Sequence, residues 1–187
     1  MKLNVIITST RPGRNGEPVG EWFFNHAKVN PGGFDEVILS DLQEIDLPLL
    51  DEPHHPRAQK YTKEHTKKWA GIVDGSDAFA FVLPEYNYAP PPAFFNAIDY
   101  LALEWNYKPA SFVSYGGVSG GMRSSQGAKE ILTTVKVMPV PEQVTVPMVF
   151  DHLKDGRFDA PKIVQDSADV MIAELAKWAA ALKPLRG

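Results

Sequence analysis

The chain has 187 residues, 44% of them hydrophobic and 22% charged, with a net charge of −4 and no cysteine. That length suits a single α/β domain spanning 1–187 with a full core. The lack of basic excess argues against nucleic acid as a partner, and the lack of cysteine excludes disulfides, thiolate nucleophiles, zinc ribbons and iron–sulfur clusters. No apolar run approaches the ~18 residues of a membrane span. The apolar start Leu3–Ile7 ends at Thr8-Ser9 before it reaches signal-peptide length. A cytoplasmic protein is therefore expected, with no membrane partner.

Short apolar runs alternate with helical patterns, as in βαβ units around a parallel sheet. The first predicted strand is Leu3–Ser9, apolar enough to be buried on both faces. A helix is predicted from about Pro18, with Val19, Trp22, Phe23 and Ala27 inward. The second strand is Glu36–Leu39. Leu42–Arg57 is a long connection bearing Pro48, Pro53 and Pro56, and loops of that length usually have a task. The second helix is predicted over Ala58–Val73, the third strand over Ala78–Leu83 and the third helix over Ala93–Leu101. The fourth strand is Ala110–Ser114 and the fourth helix Ser124–Val135. A fifth strand lies within Met138–Val146, where Pro139 and Pro141 remove donors and indicate a sheet edge. The last helix, Ala160–Leu182, repeats apolar residues at spacings of three and four. Five strands and five helices in this length predict a flavodoxin-like three-layer α/β/α sandwich with a five-stranded parallel sheet in the order 2-1-3-4-5.

Such sheets bind ligands at the carboxyl ends of strands 1 and 3, where the strand order reverses. Ser9-Thr10-Arg11-Pro12-Gly13-Arg14-Asn15-Gly16 follows strand 1. Two hydroxyls, a permanently charged guanidinium and a glycine-bearing turn into a helix N-terminus are what a phosphate needs. Pro-Gly and Asn-Gly are equally ordinary turn chemistry. The segment lacks both Gly-x-Gly-x-x-Gly and the Gly-Lys-Ser/Thr end of a P-loop, which disfavours a dinucleotide fold and a nucleoside triphosphatase. Pro84-Glu85-Tyr86-Asn87-Tyr88 follows strand 3. Its backbone can read the polar edge of a flat ring, with Tyr86 and Tyr88 shielding the flanks. Tyr115-Gly116-Gly117-Val118-Ser119-Gly120-Gly121 follows strand 4 and lets backbone approach a ligand. A phosphate site and a ring platform at two strand ends suggest a mononucleotide, and their spacing suggests flavin.

Other readings are weaker. Gly117-Val118-Ser119-Gly120-Gly121 fits the nucleophile elbow of serine hydrolases. The only histidine after Ser119 is His152, which adjoins Asp151, a poor triad arrangement. His54-His55 lacks a third metal ligand, so no metal site is expected. His65 and Trp69 share a helix face, where packing suffices. Glu104-Trp105 is read as lining a ligand mouth or a subunit contact. Arg14 is placed either at the phosphate or facing outward, and Arg14, Lys108 and Arg123 are each candidates for a 2′-phosphate.

Thr8–Arg14, Pro84–Tyr88, Phe95-Asn96-Ala97-Ile98-Asp99-Tyr100-Leu101 and Ser114–Gly121 together resemble the NADPH-dependent FMN reductase family, which includes quinone, chromate and azo-dye reductases. Leu47–Pro53 resembles that family's loop as well, and position 8 is Thr where many members have Gly. The resemblance implies that Ser9, Arg11, Glu17, Pro18 and Val19 surround an FMN phosphate. It implies that Pro84, Glu85, Tyr86, Asn87 and Tyr88 line the isoalloxazine, and that Tyr115, Gly116 and Gly117 meet its pyrimidine side. It further implies NADPH or NADH as reductant, a small-molecule electron acceptor, and a homodimer, in some members a tetramer, through the third and fourth helices. The expected activity is ping-pong hydride transfer from NAD(P)H through bound FMN, with no obligatory protein acid or base. A flavodoxin-like electron carrier or redox sensor is the alternative.

Overall fold

The computed structural model describes residues 1–186; Gly187, the last residue of the predicted domain, lies outside them. Strands β1 (Lys2–Ile7), β2 (Glu36–Asp41), β3 (Ala78–Pro84) and β4 (Pro109–Tyr115) form a parallel sheet in the order β2-β1-β3-β4. The next position is filled by two short pieces, β5 (Met138–Pro139) and β6 (Val144–Val146), both parallel to β4. The predicted order therefore holds, with the fifth strand in two pieces; the Met138 and Val140 N–H groups donate to β4, so Pro139 and Pro141 occupy outward-facing positions of a sheet edge.

Alternation along the strands supplies two cores. Leu3, Val5, Ile7, Ala78, Ala80 and Val82 face α1 (Gly16–Val29) and α6 (Lys162–Leu182). Ile6, Phe79, Phe81, Leu83 and Phe112 face α3 (Glu64–Asp74), α4 (Pro92–Asp99) and α5 (Met122–Thr134). The second core is aromatic: Trp105 meets Phe79 at 4.9 Å and Trp69 at 5.9 Å between ring centres, both edge-on. Both β3 and β4 are buried along their whole length, as strands covered on two faces must be.

Three local departures have physical causes. The second predicted helix starts six residues late, because Pro56–Ala58 forms a separate single turn and α3 begins only at Glu64. There the Glu52 carboxylate accepts from the Thr62 and Lys63 N–H groups, capping α3 from outside its own sequence. Leu42–Ile45 is a short helix, α2, whose Asp41 cap accepts from Gln43 N–H at 2.9 Å. Leu153–Lys154 (β7) and Arg157–Phe158 (β8) make a small antiparallel hairpin around Asp155-Gly156, its Phe158 against Trp22 of α1. No described helix is long and apolar enough to cross a membrane.

Candidate active site

The carboxyl ends of β1, β3 and β4 lie side by side, with Ile7 opposite Val82 and Pro84 opposite Tyr115. The three predicted segments leave from these ends and so share one edge of the sheet.

In the first, Thr8 prolongs β1: its N–H and its hydroxyl both donate to the Val82 carbonyl, at 3.2 and 2.8 Å. Ser9 is fully buried, and its hydroxyl makes no hydrogen bond of ordinary geometry among the described residues. It abuts the first residue of α1. A Cβ added to Gly16 would lie 2.1 Å from Ser9 Oγ and 2.5 Å from the Tyr115 hydroxyl, so only glycine allows the two hydroxyls to converge there. Burial raises the Tyr115 pKa, keeping it a neutral phenol. Thr10 and Arg11 are exposed, and among the described residues the Arg11 guanidinium hydrogen-bonds the neighbouring Pro12 carbonyl alone, at 3.4 Å. Asn15 gives α1 no side-chain cap, leaving its first N–H groups to other acceptors.

Arg14 has a different task from Arg11. It is buried, donating to the Ser9 carbonyl at 2.6 Å and forming a two-pronged ion pair with Asp41 at the end of β2. Its hydrogen bond to Asp41 raises its pKa further. Arg14 therefore neither reaches outward nor stands free to meet a 2′-phosphate; it ties the loop to β2. Glu17 is exposed, 3.8 Å from Arg14. Pro18 is half-buried, while the Val19 side chain lies wholly in the core, so only its backbone is near the loop.

In the second segment, Tyr86 and Ala89 exchange N–H to carbonyl hydrogen bonds, each 3.0 Å, around Asn87-Tyr88. Both central residues are left-handed, with φ of 52° and 72°. Asparagine tolerates this; tyrosine rarely does. Pro84 is buried and closes β3. The Glu85 side chain is only 7% exposed. Its carboxylate accepts from the Ser119 hydroxyl at 3.0 Å, the Arg123 N–H at 3.2 Å and Arg123 Nε at 2.6 Å. Burial pushes the Glu85 pKa up, but Arg123 and Ser119 outweigh it and hold it below the ordinary value. The Arg123 guanidinium also lies over the Tyr88 ring, 3.9 Å from its centre.

The third segment packs partly on itself. Gly121 (φ 80°) lies so close to its own strand that a Cβ would sit 2.7 Å from the Tyr115 nitrogen. Gly116 donates to the Val146 carbonyl at 3.3 Å, while a Cβ on Gly117 would meet nothing within 4 Å. Among the described residues no histidine bonds Ser119; its hydroxyl donates to Glu85 and accepts from Arg123. That arrangement removes the geometric basis for a serine hydrolase.

Several remaining side chains prove structural. Glu104 and Trp105 are both buried, Glu104 accepting from Tyr61 at 2.9 Å and Gln59 at 3.0 Å, so neither lines a ligand mouth or a subunit contact. Lys108 is buried at the start of β4, away from the three loops, and donates to the Val73 and Asp74 carbonyls. Of the three cations considered for a 2′-phosphate, only Arg123 keeps half its side chain exposed beside the loops. His55 Nδ1 accepts from the Arg57 N–H, and no metal-binding group of three ligands occurs among the described residues. His65 hydrogen-bonds Asp51 at 2.9 Å and stands edge-on to Tyr100.

The Leu42–Arg57 connection is strapped to α4. The Pro48 carbonyl accepts from Asn96 Nδ2 at 2.7 Å and the Tyr100 hydroxyl at 3.0 Å, and Asn96 Oδ1 accepts from the Leu50 N–H. Between the strap and Thr10 runs a groove of about 320 Å³, lined by Leu42, Leu47, Leu49, Pro92 and Asn96 among others. A second cleft, about 500 Å³, runs along α1 beneath Phe158, apart from the three loops. Sequence reading missed Asp41 at the first loop, and it weighed Ser119 as a nucleophile and Arg123 for a 2′-phosphate without seeing that both serve Glu85. Only Asp41 carried a signal, since a strand order of 2-1-3 sets the end of strand 2 beside the first loop.

The NADPH-dependent FMN reductase family matches residues 1–151. An NAD(P)H-dependent FMN reductase of Schizosaccharomyces pombe is 35% identical over 160 residues, covering 84% of this chain and 78% of its own. An NADPH azoreductase of a Bacillus species is 28% identical over 152 residues, covering 79% and 80%. The solved structure of a flavoenzyme NAD(P)H:(acceptor) oxidoreductase from Paracoccus denitrificans superimposes with a TM-score of 0.74 at 20% identity, over 97% of this chain and 98% of that one. With its flavodoxin-like sheet and its three loops at one strand edge, this chain belongs to the NADPH-dependent FMN reductase family of oxidoreductases.

Proposed function

We propose that the protein is a single-domain, cytoplasmic NAD(P)H oxidoreductase that holds FMN across the three loops. The observation that carries this is the buried Ser9 hydroxyl, without a hydrogen bond of ordinary geometry among the described residues, beside a helix N-terminus that Asn15 does not cap with its side chain, with the exposed Arg11 guanidinium two residues on. An anion of phosphate type satisfies all of these groups at once. In this reading Ser9, Thr10, Arg11 and the first turn at Glu17, Pro18 and Val19 surround the phosphate. Pro84, Glu85, Tyr86, Asn87 and Tyr88 border the ring, and Tyr115, Gly116 and Gly117 meet its pyrimidine side. The bare face of Gly117 fits close approach by a flat group, whereas the Gly116 N–H is already spent on Val146.

Bound FMN supplies a ring that takes hydride from a reduced nicotinamide and passes the electrons on. The chain's own share is to bind the phosphate, present backbone to the ring edge, and leave one face open. Reductant and acceptor use that face in turn, which gives ping-pong order. No protein group near the loops is poised as an obligatory acid or base: Glu85 is held ionised by Arg123 and Ser119, and Tyr115 stays neutral. The azoreductase relative supports small aromatic acceptors, and quinones, azo compounds, metal oxyanions and free flavin are the classes to assay. We place a homodimer, or a tetramer, on α4 and α5.

The test is the absorption spectrum of the purified protein, reconstituted with FMN if colourless. Stoichiometric FMN binding, bleaching by NADPH or NADH, and steady nicotinamide consumption with a quinone are expected. Failure to bind FMN removes this reading. Bleaching without turnover on any acceptor class leaves an electron carrier in its place.

A further inference from the structure

The turn at Asn87-Tyr88 is held in a conformation that its own sequence does not favour. Two successive non-glycine residues are left-handed, and Tyr88 is 68% exposed, so no core packing pins it there. A tyrosine in this region is costly, and such strain persists only where the surroundings over-determine it. Beyond the Tyr86–Ala89 hydrogen bonds that close the turn, one residue of α5 reaches onto it. Arg123 lies 3.9 Å over the Tyr88 ring, grips the Glu85 carboxylate through Nε and Nη2, and donates from Nη2 to Ser119 at 3.1 Å. Its backbone N–H binds Glu85 as well. Of the two residues it holds, Glu85 immediately precedes the Tyr86–Ala89 pair and Tyr88 lies within the turn that the pair closes.

We infer that Arg123 is a positioning residue: it latches the left-handed Asn87-Tyr88 turn from outside and so presents the Tyr86–Ala89 backbone to the cofactor. The cofactor half of this statement rests on the function proposed above; the latch itself rests on the contacts alone. The planar guanidinium is essential to it, because a lysine can supply the charge but not the stack and the two-pronged grip together. Nothing in the latch transfers a proton or an electron.

The experiment compares wild type, Arg123→Met, Arg123→Lys, Tyr88→Gly and Tyr88→Gly/Arg123→Met. Two quantities are read. One is FMN affinity by quenching of FMN fluorescence. The other is amide exchange of Ala89, whose N–H donates across the turn, in protein free of FMN. Arg123→Met is expected to weaken FMN binding about tenfold, matching the loss of one stacked, charge-assisted contact, and to speed Ala89 exchange. Arg123→Lys should recover little of either. Glycine at position 88 relieves the strain, because Asn-Gly adopts this turn unaided. In that background the penalty for Arg123→Met should shrink to about threefold or less, a coupling that a merely structural role in α5 would not produce. Unchanged Ala89 exchange in Arg123→Met, or the same penalty in both backgrounds, overturns the latch. Absence of FMN binding in wild type overturns the proposed function instead, while Ala89 exchange still decides whether the latch exists.

Discussion

Arg11 and Arg14 offer the sharpest test, because the same group three residues apart should give opposite results. Arg11 is exposed and makes one long contact with its neighbour's carbonyl, so Arg11→Ala removes nothing that holds the fold. If it meets the FMN phosphate, it forfeits a charge-assisted hydrogen bond of about 1.5–3 kcal/mol, or roughly a 10- to 150-fold rise in Kd. Arg14 has a side chain 5% exposed, paired with an Asp41 side chain 15% exposed. Removing it strands Asp41 and frees the Ser9 carbonyl. Breaking a buried pair costs about 3–5 kcal/mol, and the residual exposure of Asp41 argues for the lower end. For a chain of this size that is a fall in Tm of about 6–12 °C. Both variants are measured as FMN-free protein by thermal unfolding, then titrated with FMN. If Arg11→Ala binds FMN within about twofold of wild type, or Arg14→Ala melts where wild type does, the assignment of these two roles is wrong.

Other expectations follow from single contacts. Gly117→Val should leave Tm nearly unchanged, since its Cβ meets open space, yet weaken FMN binding tenfold or more; normal binding would remove Gly117 from the site. Wild type should show no esterase activity that Ser119→Ala abolishes, and that variant should lose about 1–2 kcal/mol of stability as Glu85 gives up a donor. Burial works against ionised Glu52, but the Thr62 and Lys63 N–H groups hold its pKa down to about 2, from an ordinary 4.5. Its hold on α3 is thus complete above pH 4.5 and lost as pH falls toward 2, so protection of the Thr62 and Lys63 amides should decline over that window, and not in Glu52→Gln. Burial pushes Lys108 down to about 8, from 10.5. The unfolded chain therefore binds the extra proton between these values, and this residue makes stability rise with pH above 8; denaturant unfolding at pH 8 and 9.5 should show the rise, and Lys108→Met should flatten it.

The sheet was legible in the sequence because five short apolar runs alternating with helical patterns admit few other arrangements. Strand order then located the site, and Ser9, Gly16 and Tyr115 meet because β1 and β4 end at the same edge. What escaped depends on partners distant in sequence. Nothing local separates Arg11 from Arg14; the difference is Asp41, 27 residues on, which the register sets beside Ile7. The late start of α3 escaped for the same reason, since its cap comes from Glu52. The hairpin at Leu153–Phe158 was readable from Asp155-Gly156, a strong turn signal, but its flanking strands are only two residues each.

The break in the last strand position bears on how copies of this chain can meet. β5 and β6 offer two and three residues, and Pro139, at the end of β5, and Pro141, between the two, lack N–H groups where the strand faces outward. A neighbouring chain finds no continuous ladder to extend along that margin. Growth of the sheet from one molecule into the next is blocked on that side by two prolines, and association there has to proceed through side chains instead of backbone.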